Sequence, residues 1–216
     1  MDVLVIGGTP SSGKSRVILA IHRSGRARVG VAKVDCVATS DDRWFRAHGI
    51  PAMQILAGRY CPDHAWMERW PEVLAWARRQ EIQTLCVETA GLCARCAPYL
   101  YEAAAICVLD CTCGVHAPDK LGPHLSDADL CVLTKADLIS QAEREVLEAR
   151  VRRRNPTTPV VRYDGLTGEG ASDLLRAIAT VRKWDWAGDR ATMRTPLPQM
   201  FCSYCLGRTE VGISTL

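Results

Sequence analysis

The sequence predicts an α/β fold, a mainly parallel β-sheet flanked by helices, followed by an extended cysteine-containing C-terminal tail. Three observations predict it. Short apolar runs alternate with helix-like stretches, the pattern of βαβ units. The first run leads directly into a glycine-punctuated loop and then a helix-like segment. From Trp184 onward the alternation stops.

Strands are expected near Val3–Ile6, Val29–Val34, Gln54–Leu56, Thr84–Glu88, Ala105–Leu109, Leu130–Leu133 and Val160–Tyr163, where apolar residues cluster between turn residues. Helices are expected near Lys14–Arg23, Ala65–Gln80, Gln141–Arg153 and Ala171–Lys183. Pro71 should bend or restart the second, because proline lacks the N–H that an interior helical position donates. At 216 residues the chain is long enough for one domain with a substantial core, expected over residues 1–183. Residues 184–216 form a tail carrying Cys202-Ser203-Tyr204-Cys205, read as an arm docked on the domain or on a partner.

Hydrophobic residues make up 48% and charged residues 24%, which excludes wholesale disorder and low-complexity architectures. With 27 basic against 24 acidic residues there is no basic stripe suited to nucleic acid. The densest basic stretch, Arg150 and Arg152 to Arg154, falls at the end of a polar helix, where the dipole favours cations. No apolar run approaches the roughly 20 residues of a membrane span. The start, Met1 to Gly8, shows neither a basic region nor a cleavage site, so the cytoplasm is the expected location.

Gly8-Thr9-Pro10-Ser11-Ser12-Gly13-Lys14-Ser15 fits G-x-x-x-x-G-K-[ST], between an expected strand and an expected helix. The fold class therefore sharpens to a P-loop NTPase. Glycines Gly8 and Gly13 let the backbone curl so that N–H groups, those of Ser11 and Ser12 among them, meet phosphate oxygens. Lys14 reaches the terminal phosphates, and the Ser15 hydroxyl takes a magnesium position. Glu88-Thr89-Ala90-Gly91 follows an apolar strand, where Glu88 can hold Mg²⁺ through water and Gly91 can offer its N–H to the γ-phosphate. Thr134-Lys135-Ala136-Asp137 resembles the N-K-x-D base-recognition motif of GTPases, with Thr134 at the Asn position. Asp137 would accept from guanine and the Lys135 stem would cover the ring. Gly165-Leu166-Thr167-Gly168-Glu169-Gly170 resembles the loop that closes over the base, bringing in Leu166. A solvated Lys/Asp turn would explain either of the last two segments alone; their joint order favours a GTP/GDP site with Mg²⁺, acting as a slow nucleoside triphosphatase.

With glutamate in E-x-x-G and this arrangement of P-loop and T-K-A-D, the sequence resembles the CobW/HypB/UreG family of the SIMIBI class over roughly residues 1 to 182. That resemblance implies a GTPase that delivers metals and works as a nucleotide-dependent dimer. It implies an Asp after the second strand in the magnesium and catalytic set with Lys14 and Glu88; Asp35 matches, with Asp41 and Asp42 as alternatives nearby. It implies a Cys-Pro-His or Cys-His metal segment, here Cys61-Pro62-Asp63-His64 with the histidine displaced by one. It also implies a cysteine just beyond E-x-x-G, and here Cys93 and Cys96 stand there.

Eleven cysteines are the compositional anomaly. Cys36, Cys86, Cys107 and Cys131 lie in or beside apolar runs and are read as small buried hydrophobes. The remainder, Cys61, Cys93, Cys96, Cys111, Cys113, Cys202 and Cys205, lie in polar segments. A C-x-x-C turn lets two thiolates share one ion, and two such pairs, Cys93/Cys96 and Cys202/Cys205, allow a tetrathiolate site for Zn²⁺ or a [4Fe–4S] cluster. Cys61 and His64 suit Zn²⁺ or Ni²⁺. Three functions follow. The first is a GTPase metallochaperone or metallocofactor-maturation factor serving a target metalloenzyme or cofactor-assembly protein. The second is a nucleotide-dependent iron–sulfur protein with its cluster at a dimer interface, working as reductase or carrier. The third is a regulatory nucleotide switch whose cysteines are structural or bound to zinc.

Overall fold

The structure, a computed structural model, describes residues 1–36, 40–58, 61–91, 97–181 and 191–195, without the side chains at 63 and 64. Seven strands, β1 (Asp2–Gly8), β2 (Val29–Asp35), β3 (Ala52–Leu56), β4 (Thr84–Glu88), β5 (Ala104–Asp110), β6 (Leu130–Thr134) and β7 (Val160–Tyr163), form one sheet in the order β3-β2-β4-β1-β5-β6-β7. Every pairing is parallel. The helices are α1 (Lys14–Arg23), α2 (Asp41–Ala47), α3 (Pro62–Glu68), α4 (Trp70–Arg79), α5 (Ala117–Lys120), α6 (Pro123–Ser126), α7 (Gln141–Arg154) and α8 (Ala171–Thr180).

Strand alternation divides the core in two. Val3, Val5, Leu85 and Leu109 face Trp66, Trp70, Leu74, Leu147 and Val151 of α3, α4 and α7. Leu4, Ile6, Cys86 and Val108 face Val17, Ile18, Phe45 and Leu174 of α1, α2 and α8. The parallel arrangement gathers the carboxyl ends of β1, β2, β4, β5 and β6 on one edge, with β1 at the point where the chain turns from one half of the sheet to the other. Loops at such an edge are where open α/β sheets bind ligands.

The expected long helix is two: α3 ends before Arg69 and α4 restarts with Pro71 in its first turn, where its missing N–H costs nothing. Helix α7 begins with a reciprocal capping box between Ser140 and Glu143. At its other end Arg150 and Arg153 pair with Asp119 of α5 at 2.6 and 3.4 Å, so part of the basic cluster serves as an intrachain brace. Among the described residues, no helix is long and apolar enough to cross a membrane.

Cys86, Cys107, Cys111 and Cys131 are buried, Cys113 is exposed, and Cys36 and Cys61 lie between; no described cysteine is in a disulfide. Cys36 is therefore less buried than its apolar neighbours suggest, because it follows the last residue of β2. Cys111 is more buried than its polar surroundings suggest, because the turn after β5 folds it into the core. Burial, then the adjacent Asp110 carboxylate, pushes the Cys111 thiol up to about 12. At pH 8 roughly one molecule in ten thousand carries its thiolate. Iodoacetamide labelling of the native protein followed by peptide mapping is expected to modify Cys113 and to spare Cys86, Cys107, Cys111 and Cys131. Labelling of Cys111 as fast as Cys113 would contradict the packing described here.

Part of the tail docks on the domain. Met193 and Leu100 form an antiparallel bridge, flanked by Arg194 N–H donating to Tyr99 O at 2.9 Å and Tyr101 N–H to Thr192 O at 2.9 Å. The Arg194 guanidinium donates to the carbonyls of Leu100, Ala103 and Asp127 and to both carboxylate oxygens of Asp129, all within 2.9 Å. Thr195 adds a short bond to the Asp127 carboxylate. A planar fork with five donors is suited to such a cage, which a lysine could not fill.

Candidate nucleotide and metal site

The loop after β1 is already curled. Gly8, Ser11 and Gly13 have φ of 128, 58 and 92°, and Gly13 precedes α1. A Cβ on Gly8 would sit 2.0 Å from Val108 O, so only glycine lets β1 pass β5 so closely there. Lys14 Nζ donates to Gly8 O at 3.1 Å and to Thr9 O at 2.7 Å. An ammonium has three donors, which leaves one for a ligand. Burial holds the Lys14 amine down at about 8, with Glu88 opposing the shift and Lys33 adding to it. Thr9 Oγ1 and Ser12 Oγ are buried with no hydrogen-bond partner among the described residues. Buried hydroxyls left unmatched and a charge held at a cost are the marks of a loop built around an anion.

Beside it lies a buried ionic cluster. Ser15 Oγ is 3.0 Å from both carboxylate oxygens of Glu88. Lys33 Nζ is 2.8 Å from Glu88 Oε1 and 3.1 Å from Asp41 Oδ2. Burial acts to lower the Lys33 amine, but Glu88 and Asp41 outweigh it and the net shift is upward. Hard oxygen donors of Ser15 and Glu88 suit Mg²⁺, whose preference is for hydroxyl, carboxylate and water. Asp35 accepts from Cys36 N–H at 2.8 Å and is near enough to Lys14 to act on its charge. Asp41 thus joins the Glu88 cluster directly through Lys33, whereas Asp35 holds the backbone N–H of its own neighbour Cys36.

Gly91 closes the cradle. Its φ is +74°, and a Cβ there would lie 1.9 Å from Gly8 O and 3.2 Å from Lys14 Nζ. The residue proposed to sense the γ-phosphate therefore touches the P-loop itself.

At the base end, Thr134 Oγ1 donates to Ser12 O at 2.7 Å, with Leu109 O at 3.3 Å. The threonine at the Asn position ties β6 to the P-loop. Lys135, at φ 54°, reaches Ser11 O at 3.0 Å and Asp110 Oδ2 at 2.5 Å. Hydrogen bonds from Lys135 and Thr112 overcome burial and keep Asp110 below the usual carboxylate range. Asp137 and the turn Asp164 to Gly170 contribute to one concavity of about 710 Å³ that continues along the edge strand β7. That turn is folded by Asp164, which accepts from Leu166 N–H and Thr167 Oγ1 at 2.7 and 2.6 Å, leaving Leu166 exposed.

Cys61 caps the start of α3, followed by Pro62, and the side chain of His64 is outside the described residues. Cys93, Cys96, Cys202 and Cys205 also lie outside them. Among the described residues no group of three or more His, Cys, Asp and Glu is placed to hold a metal ion. Sequence reasoning missed Lys33, Asp110 and Arg194. Lys33 had a signal, a lone charge inside the apolar run Val29-Gly30-Val31-Ala32-Lys33-Val34; Asp110 ends a strand next to cysteines that drew attention away from it.

Residues 2–162 match the nucleotide-binding domain of the CobW/HypB/UreG family. An uncharacterized protein of Methanocaldococcus jannaschii is 39% identical over 216 residues, covering 98% of this chain and 91% of its own. The hydrogenase maturation factor HypB of Azotobacter vinelandii is 33% identical over 187 residues, covering 83% of this chain and 60% of that relative, so the chain spans less than two thirds of its length. Among solved structures, HypB of Archaeoglobus fulgidus aligns with a TM-score of 0.63 at 25% identity, covering 82% of this chain and 89% of that one. HypB of Helicobacter pylori, in complex with nickel, aligns at 0.66 and 19% identity over 82% and 85%, a likeness of fold. With its phosphate loop, Glu88–Gly91 segment and Lys135–Asp137 turn on one sheet edge and a domain match over most of its length, the chain belongs to the CobW/HypB/UreG family and is a nucleoside triphosphatase of the GTPase kind.

Proposed function

We propose that this protein is a nucleotide-gated metal carrier: a Mg²⁺-dependent GTPase that holds a transition metal on cysteines beside its γ-phosphate sensor and delivers it to a target metalloenzyme or cofactor-assembly protein. Gly8, Ser11, Ser12, Gly13 and Lys14 bind the phosphates, and Ser15 and Glu88, with Asp35, hold Mg²⁺. Lys135, Asp137 and Leu166 take the base. Magnesium held there would neutralise charge on the phosphates; attack of water on the γ-phosphorus then breaks the bond to the β-phosphate oxygen and releases GDP and phosphate. The metal site is Cys93 and Cys96, joined by Cys202 and Cys205, with Cys61 and His64 as a second thiolate–imidazole pair. Zn²⁺ and Ni²⁺ are the favoured ions, because soft thiolates select them over magnesium. The solved structure of Helicobacter pylori HypB is a nickel complex, which supports nickel.

The observation that carries this reading is the antiparallel bridge between Leu100 and Met193. The bridge ties residues 192–195, which precede Cys202 and Cys205 in sequence, to residues 99–101, which follow Cys93 and Cys96 in sequence. The arm is thus anchored to the segment that follows the γ-phosphate sensor. A homodimer would set two such centres about a two-fold axis.

Metal analysis of aerobically and anaerobically purified protein, with and without Cys93→Ser/Cys96→Ser, tests the proposal. About one Zn²⁺ or Ni²⁺ per chain in colourless protein, lost in the double variant, is expected. Unchanged stoichiometry in the variant would refute the ligand set, and a brown protein with iron and sulfide would turn the reading to a cluster protein.

A further inference from the structure

Lys33 occupies a position that the fold would fill with a hydrophobe. It continues the face of β2 on which Val29 and Val31 are buried in the core. The register sets it directly opposite Glu88 on β4. The ammonium lies 2.8 Å from Glu88 Oε1 and 3.1 Å from Asp41 Oδ2; the Lys33 and Glu88 side chains are 6% and 3% exposed and that of Asp41 is 45%. Burying an ammonium and a carboxylate costs several kcal/mol per ion before their attraction is counted. The Ser15 hydroxyl shares the same carboxylate, so the lysine is attached to the oxygens expected to serve a magnesium ion.

We propose that Lys33 is a built-in counter-cation of the magnesium site: a positioning residue that holds Glu88 and Asp41 in the absence of magnesium and so lessens the dependence of nucleotide binding on the ion. This rests on the nucleotide site proposed above. Two effects follow from charge alone. Without magnesium, Lys33 offsets the charge of Glu88, the nearer of its two carboxylates, so Lys14 meets the phosphates against less opposing charge and diphosphate binding persists. With magnesium, a divalent ion on the same carboxylate lies within a few ångströms of the ammonium. Even water-like screening then costs the ion roughly tenfold or more in affinity.

The test is the ratio of GDP affinities measured by calorimetry in excess magnesium and in EDTA, for wild type, Lys33→Met and Lys33→Arg. Wild type should keep measurable GDP binding in EDTA. In Lys33→Met the ratio should grow at least about tenfold, and Lys33→Arg, which keeps the charge, should return it toward wild type. A Lys33→Met protein with lower thermal stability but an unchanged ratio would overturn the proposal and leave Lys33 a structural partner of Glu88. If Lys33→Met does not fold, wild type decides: complete loss of GDP in EDTA overturns the proposal. Wild type that binds no GDP in either condition would instead overturn the nucleotide site, and this inference with it.

Discussion

Replacing Lys14 with alanine is expected to weaken GTP and GDP binding by roughly 30-fold to several thousand-fold, the range for removing one partner of a buried, hydrogen-bonded charge pair. Two of its donors already bind the carbonyls of Gly8 and Thr9, so the ammonium is held in place before any phosphate arrives. Stability should move differently. The folded-state amine sits at about 8, below its ordinary value of 10.5, which means that folding disfavours the charged form at neutral pH. The associated cost is fully present below about pH 8 and fades as pH rises toward the unfolded value. Lys14→Ala should therefore leave the melting temperature of the nucleotide-free protein unchanged or slightly raised at pH 7. Calorimetry of both binding and unfolding checks this; a large fall in melting temperature with nucleotide affinity intact would reverse the assignment.

Gly91→Ala should be the most damaging small substitution. The added carbon would lie 1.9 Å from the Gly8 carbonyl, an approach no real contact tolerates, at a φ of +74° that disfavours a side chain. Together strain and displacement should cost roughly 2–5 kcal/mol, or about 5–15 °C in melting temperature for a domain of this size. Gly8 O is also an acceptor for Lys14, so a shift there propagates to the phosphate donor. Binding of a non-hydrolysable GTP analogue should fall further than binding of GDP, because only the triphosphate carries the γ-phosphate that Gly91 is proposed to meet. Equal losses for both nucleotides, measured side by side by calorimetry, would separate Gly91 from the γ-phosphate.

All seven strands and the Pro71 restart were legible, because apolar runs between turn residues and a proline's missing donor are local facts. Helix α2 was not. It is seven residues long, and its first-turn acids Asp41 and Asp42 read equally well as candidate ligands. Helices α5 and α6, four residues each with an early proline, are too short to show a helical period. At the site, the spacing within Gly8 to Ser15 and within Thr134 to Asp137 was visible, whereas the bonds that join them were not. Thr134 to Ser12 spans 122 positions and Lys33 to Glu88 spans 55, distances that only the sheet register closes. Arg194 is one arginine among many in the sequence until the fold places five acceptors around it.

Nucleotide-gated metal carriage requires metal affinity to depend on nucleotide state. Gly91 touches the P-loop, Cys93 follows two residues later in sequence, and the arm bearing Cys202 and Cys205 is pinned to the segment beyond. Ligand distances in a metal site are held to about 0.2 Å, so a switch movement of even about 1 Å should register. Titration of Zn²⁺ and Ni²⁺ into the GDP form and into the form bound to a non-hydrolysable GTP analogue, with mass followed by light scattering, should give affinities differing at least about fivefold. By linkage the metal should change nucleotide affinity by the same factor, with more dimer when both ligands are present. Identical affinities and an unchanged mass in the two states would contradict nucleotide-gated carriage and leave the cysteines as structural ligands.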